Sequence, residues 1–368
     1  MFKKISSLSV YFETDKLGTL AITDGHLCAF EYDAQWLQNK FSVSPFYLPL
    51  KKQVFISKAE PFDAMFGVFN DSLPDGWGRL LVDRLLRKNN INPASLTPIE
   101  RLSIVGSGGM GTLSYKPENH IAAEHDISDL QYLEREVNKV LNDDYTGDIE
   151  ALAAKGCSSG GARPKVLITI NGEHWIVKFK SSSDPKNIGK IEYEYSLAAK
   201  KSGIIMTETK LLENKYFAIK RFDRENGKKI HMHTAAGLLN ADHRIPSLDY
   251  KTLMEAAFAL TKDMSEVLKI YRLMIFNVLT SNKDDHSKNF SFIYKDNKWQ
   301  FSPAYDLVYS EGFNAQHATT MLGEGNPKKE HIFDLAKEMS INRKTYKNIF
   351  DEVYAGTADL RKDFLADL

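Results

Sequence analysis

Apolar and polar residues alternate in short runs at the start of the chain. The runs at 8–12 (LSVYF) and 18–22 (GTLAI), closed by Thr23-Asp24-Gly25, predict a small sheet within residues 1–120. The period then lengthens. After the segment NDSLPD at 70–75, Leu80, Leu81, Val82, Leu85 and Leu86 fall near helical spacing with arginines between them, so 77–88 reads as a helix. Residues 104–114, IVGSGGMGTLS, are dense in glycine. Bare amides can cradle anions, but neither a helix nor a lysine completes that motif, and the run reads as a bend between lobes. The polar stretch 120–126 reads as a linker, and 130–141 resumes as an amphipathic helix.

A new unit begins near Gly147. Strands over 165–170 and 173–180 are joined by Asn171-Gly172, among the strongest two-residue hairpin signals. A Gly- and Ser-rich loop leads into them. A helix over 189–203 and strands over 207–212 and 216–222 follow, and the count expected for this lobe is five strands and a helix. From 249 onward the pattern is helical. Leu253, Ala256, Ala257 and Leu260 mark one helix; Val267, Ile270, Tyr271, Met274 and Val278 mark the next; 332–339 and 346–354 mark two more. One hairpin interrupts them, inside residues 280–307.

That interrupted stretch carries the chemistry. Asp284 is followed five positions on by Asn289, then by the hairpin and by Asp306. Phosphoryl transfer needs a carboxylate to position a hydroxyl and take its proton, together with hard oxygen ligands for magnesium. An Asp-x4-Asn loop, a strand pair and a further Asp supply all three. Lys178, on the second strand of the 165–180 hairpin, stands where a kinase keeps its phosphate-binding lysine. Glu192 or Glu194 could orient it, or could simply favour a helix N-terminus. Residues 218–222 are the expected hinge against adenine. Gly156 and Gly161 are followed by Ala162-Arg163 and do not make a Walker loop, which disfavours a P-loop NTPase. His286 and Lys288 are read as donors near the transferred phosphoryl rather than as metal ligands, and His231 and His233 as a strand-edge pair on a surface.

The bulk composition narrows the class. With 368 residues, 43% of them hydrophobic, the chain can bury a large core. Lysine plus arginine (48) balances aspartate plus glutamate (48), so the chain gives no electrostatic reason to bind nucleic acid by itself. Two cysteines, Cys28 and Cys157, do not make a disulfide framework, and no window approaches a signal peptide or a membrane span; a cytoplasmic location is expected.

Taken in order, the segments FNDSLPDGWGRLLVDRLL, GSGGMGTL, SSGGARPK, EYEY, RFDR, DDHSKNFSF and PAYDL resemble the HipA family of serine/threonine kinases, the toxin half of bacterial toxin-antitoxin modules. The resemblance spans nearly the whole chain. It implies an α+β, bilobal protein-kinase-like fold with an extra small N-terminal α/β subdomain (1–120), a mixed β N-lobe with the nucleotide loop (127–222) and a helical C-lobe (223–368). It implies ATP and Mg2+ as cofactors, with Asp284 as catalytic acid, Asn289 and Asp306 as metal ligands and Lys178 on the phosphates. The nucleotide would be held by Gly160, Gly161, Ala162, Arg163 and Lys165, by Lys220, Arg221 and Phe222 at the hinge, and by Tyr305. Ser158, with Ser159 beside it, matches a serine whose autophosphorylation ejects the loop; a dianion there repels ATP phosphates. The implied partners are a HipB-like DNA-binding antitoxin, through which any DNA contact would come, and a protein of the translation machinery, a translation factor or a tRNA synthetase, as substrate. The chain departs from the family at ARPK, where some members carry a glutamine, at Asp285, where a glycine is frequent, and at Lys220, where an acid stands in at least one member. A small-molecule kinase of aminoglycoside-phosphotransferase type and a pseudokinase acting as a binding module or co-repressor are the alternatives.

Overall fold

Ser7–Phe12 and Asp15–Ile22 form the antiparallel hairpin that the opening alternation predicts. A computed structural model supplies the coordinates and describes residues 2–38, 40–121, 129–144, 146–156 and 160–364, with side chains to 361. The hairpin extends into a five-stranded antiparallel sheet in the order Val54–Ile56, Cys28–Tyr32, Asp15–Ile22, Ser7–Phe12, Leu113–Lys116. Its buried face carries Leu8, Val10, Leu20 and Phe30, packed with Phe66, Phe69 and Tyr115. Gly18 is required here, because a Cβ would sit 2.3 Å from the carbonyl oxygen of Glu31. Cys28 is sealed within the same core, and burial pushes its thiol up to about 11.

The chain divides into two compact units: residues 1–189 with 210–232, and 190–209 with 233–368. The first unit contains that sheet and a second one, four-stranded, ordered Lys165–Ile170, Glu173–Lys178, Tyr216–Lys220, Thr209–Leu212. Helices Gly76–Lys88, Leu130–Leu141 and Ile149–Gly156 contribute Trp77, Leu81, Leu133, Val137 and Leu152 to a core shared with Val166, Trp175 and Val177 of the sheet. The Asn171-Gly172 turn has both residues at positive φ, 52° and 78°, as a two-residue hairpin requires.

Four strands form where five were expected. Beyond Lys220 the chain leaves the sheet because Asp223 is fully buried and engages both arginines of RFDR. Arg221 donates through Nε and Nη2 at 2.9 and 2.7 Å, and Arg224 through Nη1 at 2.7 Å. Arg224–Glu225 then pairs only with Lys228–Lys229. The same cluster explains the glycine-dense run. Gly111 donates its amide to Asp223 at 2.7 Å, and Arg224 donates to the carbonyls of Gly109 and Gly111. The glycines thus make a bend pinned from the RFDR side. Most of the expected linker, 122–126, lies outside the described residues.

In the second unit Tyr250–Thr261 and Met264–Leu279 pack through Leu253, Met254, Val267, Ile270 and Met274. The expected hairpin is present as Ser291–Lys295 and Lys298–Phe301. Buried Glu266 accepts the Phe301 amide at 2.7 Å, tying the hairpin to the longer helix. Helices Lys329–Glu338 and Arg343–Gly356 complete the unit. Sheets of mostly antiparallel strands with separate helical layers make the fold α+β. No helix among the described residues is long and apolar enough to cross a membrane.

Candidate functional site

The nucleotide loop of the first unit is held from two sides. Gly161 donates its amide to Asp75, and Trp77 returns a bond from its own amide to the Gly161 carbonyl at 3.1 Å. Lys165 is buried at 5% exposure, and its ammonium donates to the Gly160 carbonyl. Gly161 has φ +93°, a conformation that favours glycine, and an added Cβ would lie 2.6 Å from Lys165 Nζ and displace that flexible ammonium. Gly76, at φ +42°, lets the 75–77 turn approach this loop; a Cβ there would meet the Gly161 carbonyl at 2.6 Å. Gly160 and Ala162 are exposed.

Arg163 reaches back to Asp184 at 3.1 and 3.2 Å. Burial alone would raise the Asp184 carboxyl, but Ser181, through hydroxyl and amide, and the Arg163 charge bring it below the usual carboxylate range. Lys178 ends the second hairpin strand, nine-tenths buried, with its ammonium 5.6 Å from the Phe217 ring centroid. At the expected hinge, Lys220 pairs with Glu173, Arg221 with Asp223, and the Arg221 amide bonds the His174 carbonyl at 2.9 Å. Those two side chains are therefore engaged within the protein. Glu194 pairs with Lys190 on the helix surface at 3.6 Å, whereas Glu192 is buried at 2% exposure. Ser158 and Ser159 lie outside the described residues.

The second unit brings Asp284, His286, Lys288 and Asn289 onto one tight loop. Asp284 is exposed. Asn289 donates Nδ2 to the Asp284 carbonyl at 2.6 Å, and its amide bonds the His286 carbonyl at 2.8 Å, closing a 3-10 turn over Ser287–Asn289. His286 lies 5.9 Å ring to ring from His243. Tyr305 donates its hydroxyl to the Lys288 carbonyl at 2.7 Å and shares a 2.6 Å bond with the Ser291 hydroxyl, so it braces the loop. Asp306 follows at φ +59°, a left-handed conformation that Asp tolerates better than most residues and that marks an imposed geometry. The Asn289 amide oxygen and the Asp306 carboxylate are hard donors of the kind magnesium takes. Among the described residues no group of three or more His, Cys, Asp or Glu side chains gathers as a metal site.

Sequence reasoning missed three contributors. Asp75, given only as the end of the segment before the 77–88 helix, sits at the N-cap position of Gly76–Lys88, yet its carboxylate makes no cap bond and accepts from Gly161 instead. Asp223 enters only as part of the RFDR segment and is given no role. Asp285, noted only as a departure from the family, is buried at 1% exposure and accepts from Tyr250, His317 and two backbone amides.

Comparison with known proteins follows the same lines. The HipA N-terminal domain matches residues 8–116, and the HipA-like C-terminal domain matches residues 157–360. Y4dM of Sinorhizobium fredii, whose name describes it as a kinase, is 26% identical over 358 residues, covering 89% of this chain and 82% of its own. The serine/threonine-protein kinase toxin HipA of Shewanella oneidensis is 22% identical, covering 84% and 77%. A HipA chain solved in complex with HipB and operator DNA, also from Shewanella oneidensis, superposes with TM-score 0.72 at 18% identity, covering 98% of this chain and 91% of that one, and so shares its fold. With both domains matched in order, the chain belongs to the HipA family.

Proposed function

We propose that this protein is an ATP- and Mg-dependent serine/threonine protein kinase acting as the toxin of a toxin-antitoxin pair. The observation that carries the reading is the Asp284–Asn289 loop. Bonding Nδ2 to the Asp284 carbonyl turns the Asn289 amide so that Oδ1 is the atom able to meet a cation, while the Asp284 carboxylate stays exposed. In this reading Asp284 orients a serine hydroxyl and takes its proton, with Lys178 holding the phosphates against the loop 160–165. His286 and Lys288 lie beside the acceptor as donors, and backbone at 220–222 meets the adenine. Asn289 and Asp306 would hold magnesium, which neutralises phosphate charge. The segments 1–120, 127–222 and 223–368 then serve as N-terminal subdomain, nucleotide lobe and catalytic lobe.

The family and the relative solved with HipB and DNA support a HipB-like antitoxin as partner, with DNA contacts made through it. The substrate is a translation component, and modification of Ser158 or Ser159 silences the enzyme by setting a dianion where ATP phosphates sit. Purified protein incubated with γ-labelled ATP and magnesium tests the reading. Label is expected on protein, mapping in part to Ser158 or Ser159, and absent in Asp284→Asn. Label confined to added small molecules, or Asp284→Asn as fast as the wild type, overturns it.

A further inference from the structure

Resting on that kinase reading, we infer that Asp285 and His317 are positioning residues, a buried carboxylate and imidazole that lock the chain at 317–319 against the residue next to Asp284. The Asp285 carboxylate is saturated. Its Oδ1 accepts the amides of Ala318 and Thr319 at 2.9 and 3.2 Å. Its Oδ2 accepts the Tyr250 hydroxyl at 2.7 Å and lies 2.9 Å from His317 Nδ1. The Asp285 carbonyl accepts the Thr319 hydroxyl at 2.5 Å. Asp285 and His317 are 1% and 3% exposed, so a charge has been taken out of water and compensated by four donors.

The network reaches the loop a second time. Asn277 donates to the Tyr250 hydroxyl at 2.9 Å and accepts from the Asn282 amide group at 2.9 Å. The Lys283 carbonyl accepts the Ala318 amide at 3.0 Å. Residues 282, 283 and 285, which lead into and flank Asp284, are thereby fixed to one frame. Thr319–Thr320 in turn pairs in parallel with Leu248–Asp249, so that frame is anchored to the start of the Tyr250–Thr261 helix. Kinases commonly order the equivalent return of the chain after the metal-binding acid by phosphorylating it. Here a built-in carboxylate does that work. Because a misplacement of about 1 Å at a reacting group lowers rate on the order of 100-fold, this bracing acts on turnover and leaves nucleotide affinity to the other loop.

Three variants of the full chain test the inference. His317→Leu keeps volume and removes the donor; His317→Asn restores an N–H near the Nδ1 position; Asp285→Asn removes the charge. For His317→Leu, assayed well below its melting midpoint, which should drop because a buried carboxylate loses a donor, kcat is expected to fall about 10- to 100-fold with KM for ATP essentially unchanged, and His317→Asn is expected to recover most of both losses. Hydrogen exchange of the Ala318 and Thr319 amides should accelerate in His317→Leu and Asp285→Asn and return towards wild type in His317→Asn. A wild-type kcat in His317→Leu, or a loss that follows the melting midpoint and that His317→Asn does not recover, overturns the inference while the kinase reading stands. Should the wild type show no turnover, that reading fails instead, and the exchange rates alone decide: unchanged protection in His317→Leu overturns the bracing.

Discussion

Asn289 donates its side-chain N–H to the carbonyl oxygen of Asp284 across 2.6 Å, closing the candidate catalytic loop on itself. Asn289→Leu loses both this bond and the oxygen able to face a cation. ATP turnover should drop about 100-fold or more, and raising magnesium should not restore it. Initial rates over a magnesium titration decide the point; a variant rescued by excess magnesium would assign Asn289 to metal affinity alone.

Asp284→Asn removes the proton acceptor and keeps the shape. Turnover should fall by about 10²–10⁴-fold, the range for a general base, with nucleotide binding retained. Calorimetric titration beside the rate assay separates the two effects.

Asp75→Ala should loosen the nucleotide loop and leave the Gly76–Lys88 helix in place, since the carboxylate does not cap that helix. A hydrogen bond to a charged group is worth about 1.5–3 kcal/mol, so nucleotide affinity is expected to change on the order of 10- to 100-fold with little change in melting midpoint. Gly161→Ala should also lower affinity, because its φ of +93° is strained for any residue with a Cβ and the added methyl would push the Lys165 ammonium off the loop.

Asp223→Asn should destabilise the first unit by about 3–5 kcal/mol at neutral pH, because buried Arg221 and half-buried Arg224 lose their counter-charge. Burial alone would raise the Asp223 carboxyl, but Arg221 and Arg224 hold it below the ordinary range. A depressed folded pKa contributes stability that is complete above the unfolded value of about 3.9 and is lost as pH falls through the folded one. The difference between wild type and variant in urea unfolding should therefore be full at pH 7 and shrink in acid below pH of about 4.

Much of this was legible from local signals. Asn171-Gly172 set the hairpin register, the period of 130–141 gave helix Leu130–Leu141 to the residue, and the Asp284, Asn289 and Asp306 spacing marked the loop and hairpin. What escaped depends on partners far away in sequence. The Asp75 bond spans 86 residues and the Gly111 bond to Asp223 spans 112, and no window of sequence reports where a carboxylate turns once the chain is packed. Asp285 escaped for a related reason: its donors, at 250 and 317–319, flank it from separate elements, and in sequence it looks like one more solvated acid.

The sealed environment of Cys28 offers an experimental convenience. Buried at 1% exposure, with its thiol pushed up by that burial, Cys28 scarcely reacts with maleimides while the core is closed, and the chain contains one other cysteine, at 157. Maleimide found on Cys28 by peptide mapping therefore reports opening of the core of the first unit, so its uptake along a urea gradient follows local unfolding without engineering a tag.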